Sequence, residues 1–153
     1  MTEKRPLMQY LPQRRQARLK EFDYSSNGFY FITICTKERK CILSKIEKQP
    51  DGSVLHQLTQ YGRTVESFLV TIPGIDQFVI MPNHVHMIIH KTNGKPITSD
   101  IRSFKALVTK NIGISIWQRS FYDHVIRDEA DYLIKWRYID ENPEKWANDE
   151  YYS

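Results

Sequence analysis

Two histidines separated by one residue are the side chains of this sequence best placed to do chemistry. His84 and His86 lie in the segment Met-Pro-Asn-His-Val-His, which continues into the apolar residues 87–89. On a β-strand, residues i and i+2 point to the same face, so the two imidazoles project together and Val85 points the other way. Such a pair can bind a metal ion, and burying it without a partner is costly. The pattern therefore predicts a third polar residue nearby.

A segment close to the C-terminus supplies candidates for that partner. Tyr138 and Asn142 are four residues apart in a predicted helix, so they share one face about a turn from each other. The amide oxygen of Asn142 is a hard ligand that suits Mg²⁺ or Mn²⁺, and the phenol of Tyr138 can act as a nucleophile. Two alternatives stay open. Asn142 could instead cap a helix that ends before Pro143, and Tyr132, which faces elsewhere on the same helix, is the second candidate nucleophile.

Other histidines and aromatic residues allow two interpretations. His90 shares the strand parity of the pair and is a further candidate ligand, whereas His124 is expected to make a structural hydrogen bond. Four aromatic side chains can either stack on unpaired bases or pack in the core. They are Trp117, Phe121, Tyr122 and Trp136.

The intervening segments predict the elements that position these side chains. A helix begins near Gln57, carries apolar residues at helical spacing and ends at Pro73 and Gly74. A second helix is predicted to be capped by Thr98 or Ser99. The last helix begins near Asp128 and is predicted to stop by residue 143, because the residue before a proline disfavours the helical region. Strands are predicted at 29–36, at 39–43 as its hairpin partner, at 75–81, at 85–91 and within 116–126, with a turn at 50–52.

This order of elements predicts an α+β fold in which helices pack on an antiparallel sheet. The chain has 153 residues, enough for one domain with a sizeable core. No apolar run approaches the ~20 residues that cross a bilayer. The N-terminus has no secretory signal, and Cys35 and Cys41 do not have metal-binding or disulfide spacing. We therefore expect a cytoplasmic protein with reduced thiols and no membrane contact.

Positive charge is concentrated at the N-terminus. Residues 1–20 hold six basic residues and one acid, whereas the remainder holds sixteen basic and seventeen acidic residues. We divide the chain into a basic arm at 1–22 and a catalytic domain at 23–153. Such arms often bind nucleic acid, although a solvated leader would look the same. The candidate DNA-binding residues are Arg14, Arg15, Arg18 and Lys20 of the arm, with Arg102 and Lys105 on the second predicted helix.

Taken together, the motifs resemble those of the HUH single-tyrosine transposases, in which U denotes a bulky apolar residue, here Val85. The finer similarity is to the REP-associated tyrosine transposase branch, and it covers roughly residues 14–146. The histidine pair in its Met-Pro-Asn context and the later Tyr-Ile-Asp-Glu-Asn-Pro segment carry this resemblance. Its other marks are residues 18–20, 23–25, 28–36, 117–118 and 121–124.

The resemblance implies a ferredoxin-like HUH endonuclease fold and the nicking and joining of single-stranded or hairpin DNA. His84 and His86 match the HUH metal ligands, and Asn142 matches the third ligand, which is a glutamine in many insertion-sequence relatives. Tyr138 matches the nucleophile, which would form a 5′-phosphotyrosine. The cofactor expected is a divalent ion, Mg²⁺ or Mn²⁺.

Two other functions fit the same residues. A domesticated protein could hold hairpin DNA without cleaving it, and a metal-dependent hydrolase could use activated water while Tyr138 only orients the substrate. The oligomeric state also stays open. Insertion-sequence relatives form homodimers that exchange the tyrosine helix, whereas the REP-associated branch can complete its site within one chain.

Overall fold

The structure is a computed structural model that describes residues 27–148. Six strands and three helices alternate along this part of the chain. The strands are β1 (Gly28–Cys35), β2 (Ser44–Lys48), β3 (Val54–Leu58), β4 (Ile75–Ile80), β5 (His84–Lys91) and β6 (Tyr122–Ile126). The helices are α1 (Gln60–Leu69), α2 (Ile97–Ile112) and α3 (Glu129–Asn148). The predicted α+β class is confirmed.

Four strands form an antiparallel sheet in the order β4-β5-β1-β6, and β2 pairs with β3 in a separate two-stranded sheet. Without the β2–β3 hairpin, the order of elements up to β6 is βαββαβ, and the sheet order is that of a ferredoxin-like fold. The remaining helix, α3, is an addition to this fold. It follows β6 and packs on the sheet.

Side-chain alternation gives the sheet two different buried faces. On β1, Tyr30 and Ile32 belong to the core shared with α1 and α2, whereas Phe29 and Phe31 belong to the core beneath α3. On β5, Val85 lies in the core of α1 and α2, as its position between the histidines predicts. His84 and His86 therefore lie on the face of the sheet that α3 covers.

The predicted hairpin partner of β1 at residues 39–43 is wrong. Both edges of β1 are occupied, by β5 on one side and β6 on the other, so this segment has no free edge to join. Residues 37–39 instead form a short 3-10 turn, and the following strand, β2, begins at residue 44. The helix predicted from Gln57 begins three residues later, because the Thr59 hydroxyl caps it by accepting a hydrogen bond from Gly62 N (3.1 Å).

The predicted cap of α2 is also wrong. The helix begins at Ile97 directly after Pro96, so Thr98 and Ser99 lie inside its first turn, and no side chain caps the end. The extended segment predicted at 116–126 is a strand only from Tyr122, with an isolated bridge between Trp117 and Thr36.

The largest departure from the predictions is at Pro143, where α3 was expected to stop. The helix continues to Asn148. Proline in a helix interior removes one hydrogen bond and costs ~3 kcal/mol. The final turn compensates through tertiary contacts, because Trp146 is buried in the core beneath α3 and Lys48 Nζ donates to Asn148 Oδ1 (2.8 Å). Truncating a buried tryptophan typically costs ~3–5 kcal/mol, so this packing can offset the missing bond.

No helix within residues 27–148 combines the length and apolar character needed to cross a membrane. The basic arm at 1–22 lies outside the described residues, so its arginines and lysine stay predictions.

Candidate active site

His84 and His86 lie side by side on β5, where the strand faces α3. Their ring centroids are 4.6 Å apart, and the residues are only 7% and 6% exposed. Imidazoles buried this deeply need polar partners, because each ring carries two nitrogen atoms that would otherwise lose their hydrogen bonds to water.

One nitrogen of each ring is held by a neighbouring side chain. His84 Nδ1 donates to Asn83 Oδ1 (2.7 Å), since an amide oxygen can only accept. His86 Nδ1 pairs with the hydroxyl of Thr33, on the adjacent strand β1 (2.8 Å). His86 Nε2 is buried and has no hydrogen-bond partner within residues 27–148. Metal-binding histidines commonly use one ring nitrogen for such a supporting bond and the other for the metal.

The electrostatic surroundings keep both rings neutral at neutral pH. Burial and then the positive charge of Arg39 lower the pKa of His84 to about 4, against the opposing effect of a hydrogen bond with Asn142. Burial and the neighbouring His84 lower the pKa of His86 to about 3. Neutral imidazole is the form that binds a metal ion.

Helix α3 brings Asn142 to this pair. Asn142 is buried, and its Nδ2 atom donates to the backbone oxygen of Tyr138 (3.1 Å), one turn earlier. The amide oxygen thereby stays available to His84, whose protonated form the Asn142 contact favours. A group that favours a proton on His84 also favours another cation at that position. The alternative of Asn142 as a helix-end cap is wrong, because α3 continues for six more residues.

Tyr138 lies over the histidine pair at the surface. Its ring centroid is 5.1 Å from that of His86 and 6.1 Å from that of Phe31, both in edge-to-face arrangements. Tyr138 is 38% exposed, so a molecule arriving from solvent can reach it. On the outer side, Lys145 Nζ lies 5.6 Å from the centroid of its ring.

This set of atoms fits a divalent ion. The unpaired Nε2 atom of His86, the His84 ring and the Asn142 amide oxygen converge from β5 and α3. Residues 27–148 contain no group of three or more histidine, cysteine, aspartate or glutamate side chains that could hold a metal. The three candidate ligands, His84, His86 and Asn142, are all neutral, so a hard divalent ion would bind modestly and exchangeably.

The predicted DNA-binding residues of α2 lie away from this site. Arg102 is exposed at the surface of α2, which packs on the opposite face of the sheet from α3. Lys105 is less free than its charge suggests, because its Nζ atom donates to the backbone oxygens of Gln118 (2.8 Å) and Arg119 (3.1 Å). The arm residues Arg14, Arg15, Arg18 and Lys20 are outside the described range.

The structure gives each of the other candidate histidines and aromatic residues a defined environment. His90 stacks on Phe29, with ring centroids 4.3 Å apart, and His124 makes the expected structural contact, 2.8 Å from Asp131 Oδ2. Trp117 is buried in the core shared with α1 and α2, and Phe121 is partly buried against that core. Trp136 is partly buried against the core beneath α3. Tyr122 alone of the four candidate stacking residues is largely exposed.

Three contributors to the site were missed by the sequence predictions. Asn83 orients His84, and its place beside the histidines was an available signal. Thr33 gives no local signal, because only the pairing of β1 with β5 brings it to His86. Lys145 reaches Tyr138 because α3 continues beyond residue 143. The sequence prediction ended the helix at Pro143 and so missed this contact.

Comparison with known proteins identifies the family. No protein-family model matches the chain. A Haemophilus influenzae protein described as uncharacterized is 39% identical, over 91% of this chain and 93% of that protein. The REP-associated tyrosine transposase of Escherichia coli K12 is 36% identical, over 80% of this chain and 70% of its own length. The chain belongs to the REP-associated tyrosine transposase family.

A solved structure of a REP-associated tyrosine transposase bound to a REP hairpin has the same fold. The superposition has a TM-score of 0.63 at 24% identity, and it covers 86% of this chain and 74% of the other. Membership in the REP-associated tyrosine transposases gives the chain a transposase-type role with DNA, as the sequence motifs predicted.

Proposed function

We propose that this protein cuts and rejoins single-stranded DNA at hairpin-containing sites, using Tyr138 as the nucleophile. One observation carries the proposal. Within a single chain, the exposed ring of Tyr138 lies 5.1 Å from the ring of His86, and Asn142 stands one helical turn further on. A nucleophile, two imidazoles and an amide oxygen meet at one place that solvent can reach.

His84, His86 and Asn142 would hold the divalent ion, Mg²⁺ or Mn²⁺. When bound, such an ion polarises a phosphodiester and neutralises the charge that develops on the leaving oxygen. The chain prepares for it through Asn83 and Thr33, which fix the orientation of the two rings.

In the covalent step, bonds to phosphorus form and break only between Tyr138 and the DNA. The phenol oxygen attacks the phosphorus and its proton leaves to solvent, while the bond from phosphorus to the 3′ oxygen breaks and that oxygen takes up a proton from solvent. The products are a 5′-phosphotyrosine and a free 3′-hydroxyl. Because the energy of the phosphodiester is kept in the new bond, a 3′-hydroxyl that attacks the phosphotyrosine rejoins DNA and releases Tyr138.

Two cations border the reacting group. Lys145 Nζ lies over the outer face of the Tyr138 ring, and the guanidinium of Arg39 is near enough to His84 to lower its pKa. Positive charge near the site would weaken the repulsion between a bound phosphodiester and the phenolate of Tyr138.

The substrate class and the assembly follow from the same observations. The structural neighbour is bound to a REP hairpin, which supports hairpin DNA as the partner of this chain. Tyr138 and the three candidate ligands can meet within one chain, so cleavage would not require the exchange of α3. A homodimer that exchanges α3 would need each helix to leave the contacts made by Trp146 and Tyr132.

The test is a search for the covalent adduct. Wild-type protein, incubated with hairpin oligonucleotides and Mn²⁺, should give a protein–DNA species that survives denaturing electrophoresis, and Tyr138→Phe should give neither adduct nor nick. A hydrolase that uses water would nick without an adduct, and the Tyr138→Phe variant would still nick. A non-cleaving hairpin-binding module would bind the same DNA and leave it intact. Either result would overturn the proposal.

A further inference from the structure

A cavity of about 630 Å³ lies between α2 and β6, on the sheet face opposite the histidine pair. Its wall combines apolar groups, positive charges and one carboxylate. The residues that matter here are Ile101, Arg102, Lys105, Arg119, Phe121 and Asp123. Its volume is within the range of about 300–1,000 Å³ that small-ligand pockets occupy.

The cavity is held in shape by Lys105. Its Nζ atom is hydrogen-bonded to the backbone oxygens of Gln118 and Arg119, so the segment that carries Arg119 and Phe121 is fixed to α2. A side chain that is engaged in this way is a structural part of the wall. The free charge of the cavity comes from other residues.

Arg102 and Arg119 supply that free charge. Neither guanidinium has an ion-pair or hydrogen-bond partner in the part of the chain that the structure describes. Two unpaired guanidinium groups on a concave surface match the oxygen atoms of a phosphate. The partly buried ring of Phe121 gives an apolar surface for a base, and Asp123 can accept a hydrogen bond from an amino group on its edge.

The edge strand β6 connects this cavity to the active site. Tyr122 is paired with Thr33, and Thr33 is paired with His86, so these three residues form one row on the α3 face. Neighbouring strands are about 4.8 Å apart, which places Tyr122 about 10 Å from His86 along the sheet. Its ring is 64% exposed. Because neighbouring residues alternate between faces, Phe121 and Asp123 on either side of it lie toward the opposite face and line the cavity.

We propose that the cavity between α2 and β6 binds one unpaired nucleotide of the DNA strand that Tyr138 cuts. The strand crosses the edge of β6 over Tyr122, its phosphate contacts Arg102 and Arg119, and its base lies against Phe121. Asp123 favours a base with an exocyclic amino group and disfavours thymine. The inference rests on the proposed function for the identity of the strand.

The first test measures binding without cleavage, in the Tyr138→Phe background. The probe is a hairpin oligonucleotide that the protein binds, chosen from a pool of hairpins with different stem sequences. It is prepared with and without single-stranded flanks. Arg102→Gln and Arg119→Gln should each raise the Kd for the flanked hairpin about tenfold and leave the blunt hairpin unchanged. Each should also reduce the slope of log Kd against log salt by about 0.7. Arg63→Gln, an exposed arginine of α1, is the matched control and should change neither value.

The second test locates the nucleotide. A single abasic nucleotide, placed in turn at each position of the flank, should weaken binding at one position only. In Tyr122→Ala, the effect of an abasic nucleotide should change only at the position next to that one. Selection from randomised flanks should enrich adenine, cytosine or guanine over thymine at the abasic-sensitive position, and Asp123→Asn should abolish that preference. Equal weakening of flanked and blunt hairpins, or no sensitive position, would overturn the inference.

These results separate this inference from the proposed function. If wild-type protein forms the adduct but the arginine variants bind flanked DNA normally, only the cavity assignment fails. If no adduct forms while the arginine variants lose flanked DNA selectively, the cavity assignment holds and the nucleophile assignment fails.

Discussion

The hydroxyl of Tyr132 on α3 donates a hydrogen bond to the carboxylate of Asp76 on β4. Burial, followed by this carboxylate, raises the pKa of Tyr132 well above its ordinary value. Tyr132 is therefore held as a neutral, buried phenol, whereas Tyr138, six residues later, reaches solvent beside His86. The two tyrosines of one helix have different environments, and these environments predict different variant behaviour.

Tyr132→Phe should lower the free energy of unfolding by about 1 kcal/mol, because it removes a buried hydrogen bond, and should keep adduct formation. Tyr138→Phe should leave stability within about 0.5 kcal/mol of wild type, since the exposed hydroxyl has little to lose, and should abolish the adduct. Denaturant unfolding and a gel assay for the adduct measure the two effects. The reverse pattern would make Tyr132 the nucleophile.

Thr33→Val tests the support given to His86. Valine keeps the shape of the side chain but removes the oxygen atom that lies 2.8 Å from His86 Nδ1. We expect metal affinity to fall about 10- to 100-fold, as is typical when a supporting bond to a ligand is lost. Titration with Mn²⁺ measures the affinity, and Thr33→Ser should restore much of it. An unchanged affinity in Thr33→Val would show that ring packing alone orients His86.

Removal of metal should stop the reaction. Excess chelator should abolish adduct formation, and added Mg²⁺ or Mn²⁺ should restore it, because the ligands are neutral and exchange is easy. His86→Ala should lose both the adduct and the Mn²⁺ titration signal, while Tyr138→Phe keeps the signal. Full cleavage in excess chelator would rule out a metal-dependent mechanism.

Lys145→Gln should slow adduct formation about fivefold, since a solvent-screened charge near the reacting group contributes modestly. Lys145→Arg should retain most of the rate if the charge is what matters. Lys110→Gln, an exposed lysine of α2, is the control for a general loss of attraction to DNA. Equal rates for wild type and Lys145→Gln would show that the charge of Lys145 does not assist the reaction and that the side chain only packs on the ring of Tyr138.

Acid should destabilise the metal-free protein. The histidines of the unfolded chain take up protons near their ordinary pKa of 6.5, whereas His84 and His86 in the folded protein do so only near 4 and 3. The unfolded state therefore binds more protons as pH falls below about 6.5, and stability declines through this range. Denaturant unfolding of chelator-treated protein at several pH values measures this. The double variant His84→Gln/His86→Gln should show a flatter pH dependence than wild type.

Local patterns were enough to predict which candidate side chains share a face. The alternation around Val85 placed both histidines on one face, and the four-residue spacing of Tyr138 and Asn142 placed these side chains on one face of a helix. Both features depend on neighbours in sequence, where backbone geometry alone decides direction.

Features that depend on distant contacts could not be read in this way. Residues 39–43 cannot pair with β1 because β5 and β6, which begin 49 residues or more after β1 ends, occupy both of its edges. Thr33 meets His86 only through the pairing of β1 with β5. The continuation of α3 past Pro143 depends on the burial of Trp146. The basic arm, the cytoplasmic location and the oligomeric state stay predictions.

The extra helix also determines how a gene for this protein can decay. A copy truncated before residue 129 would keep the four-stranded sheet and both histidines, yet it would expose Phe29, Val79, Ile88 and Ile126, which α3 covers. An apolar sheet face of that kind promotes aggregation. A truncated copy that lacks the nucleophile would therefore be prone to aggregate, whereas a point substitution of Tyr138 would leave α3 in place over the sheet.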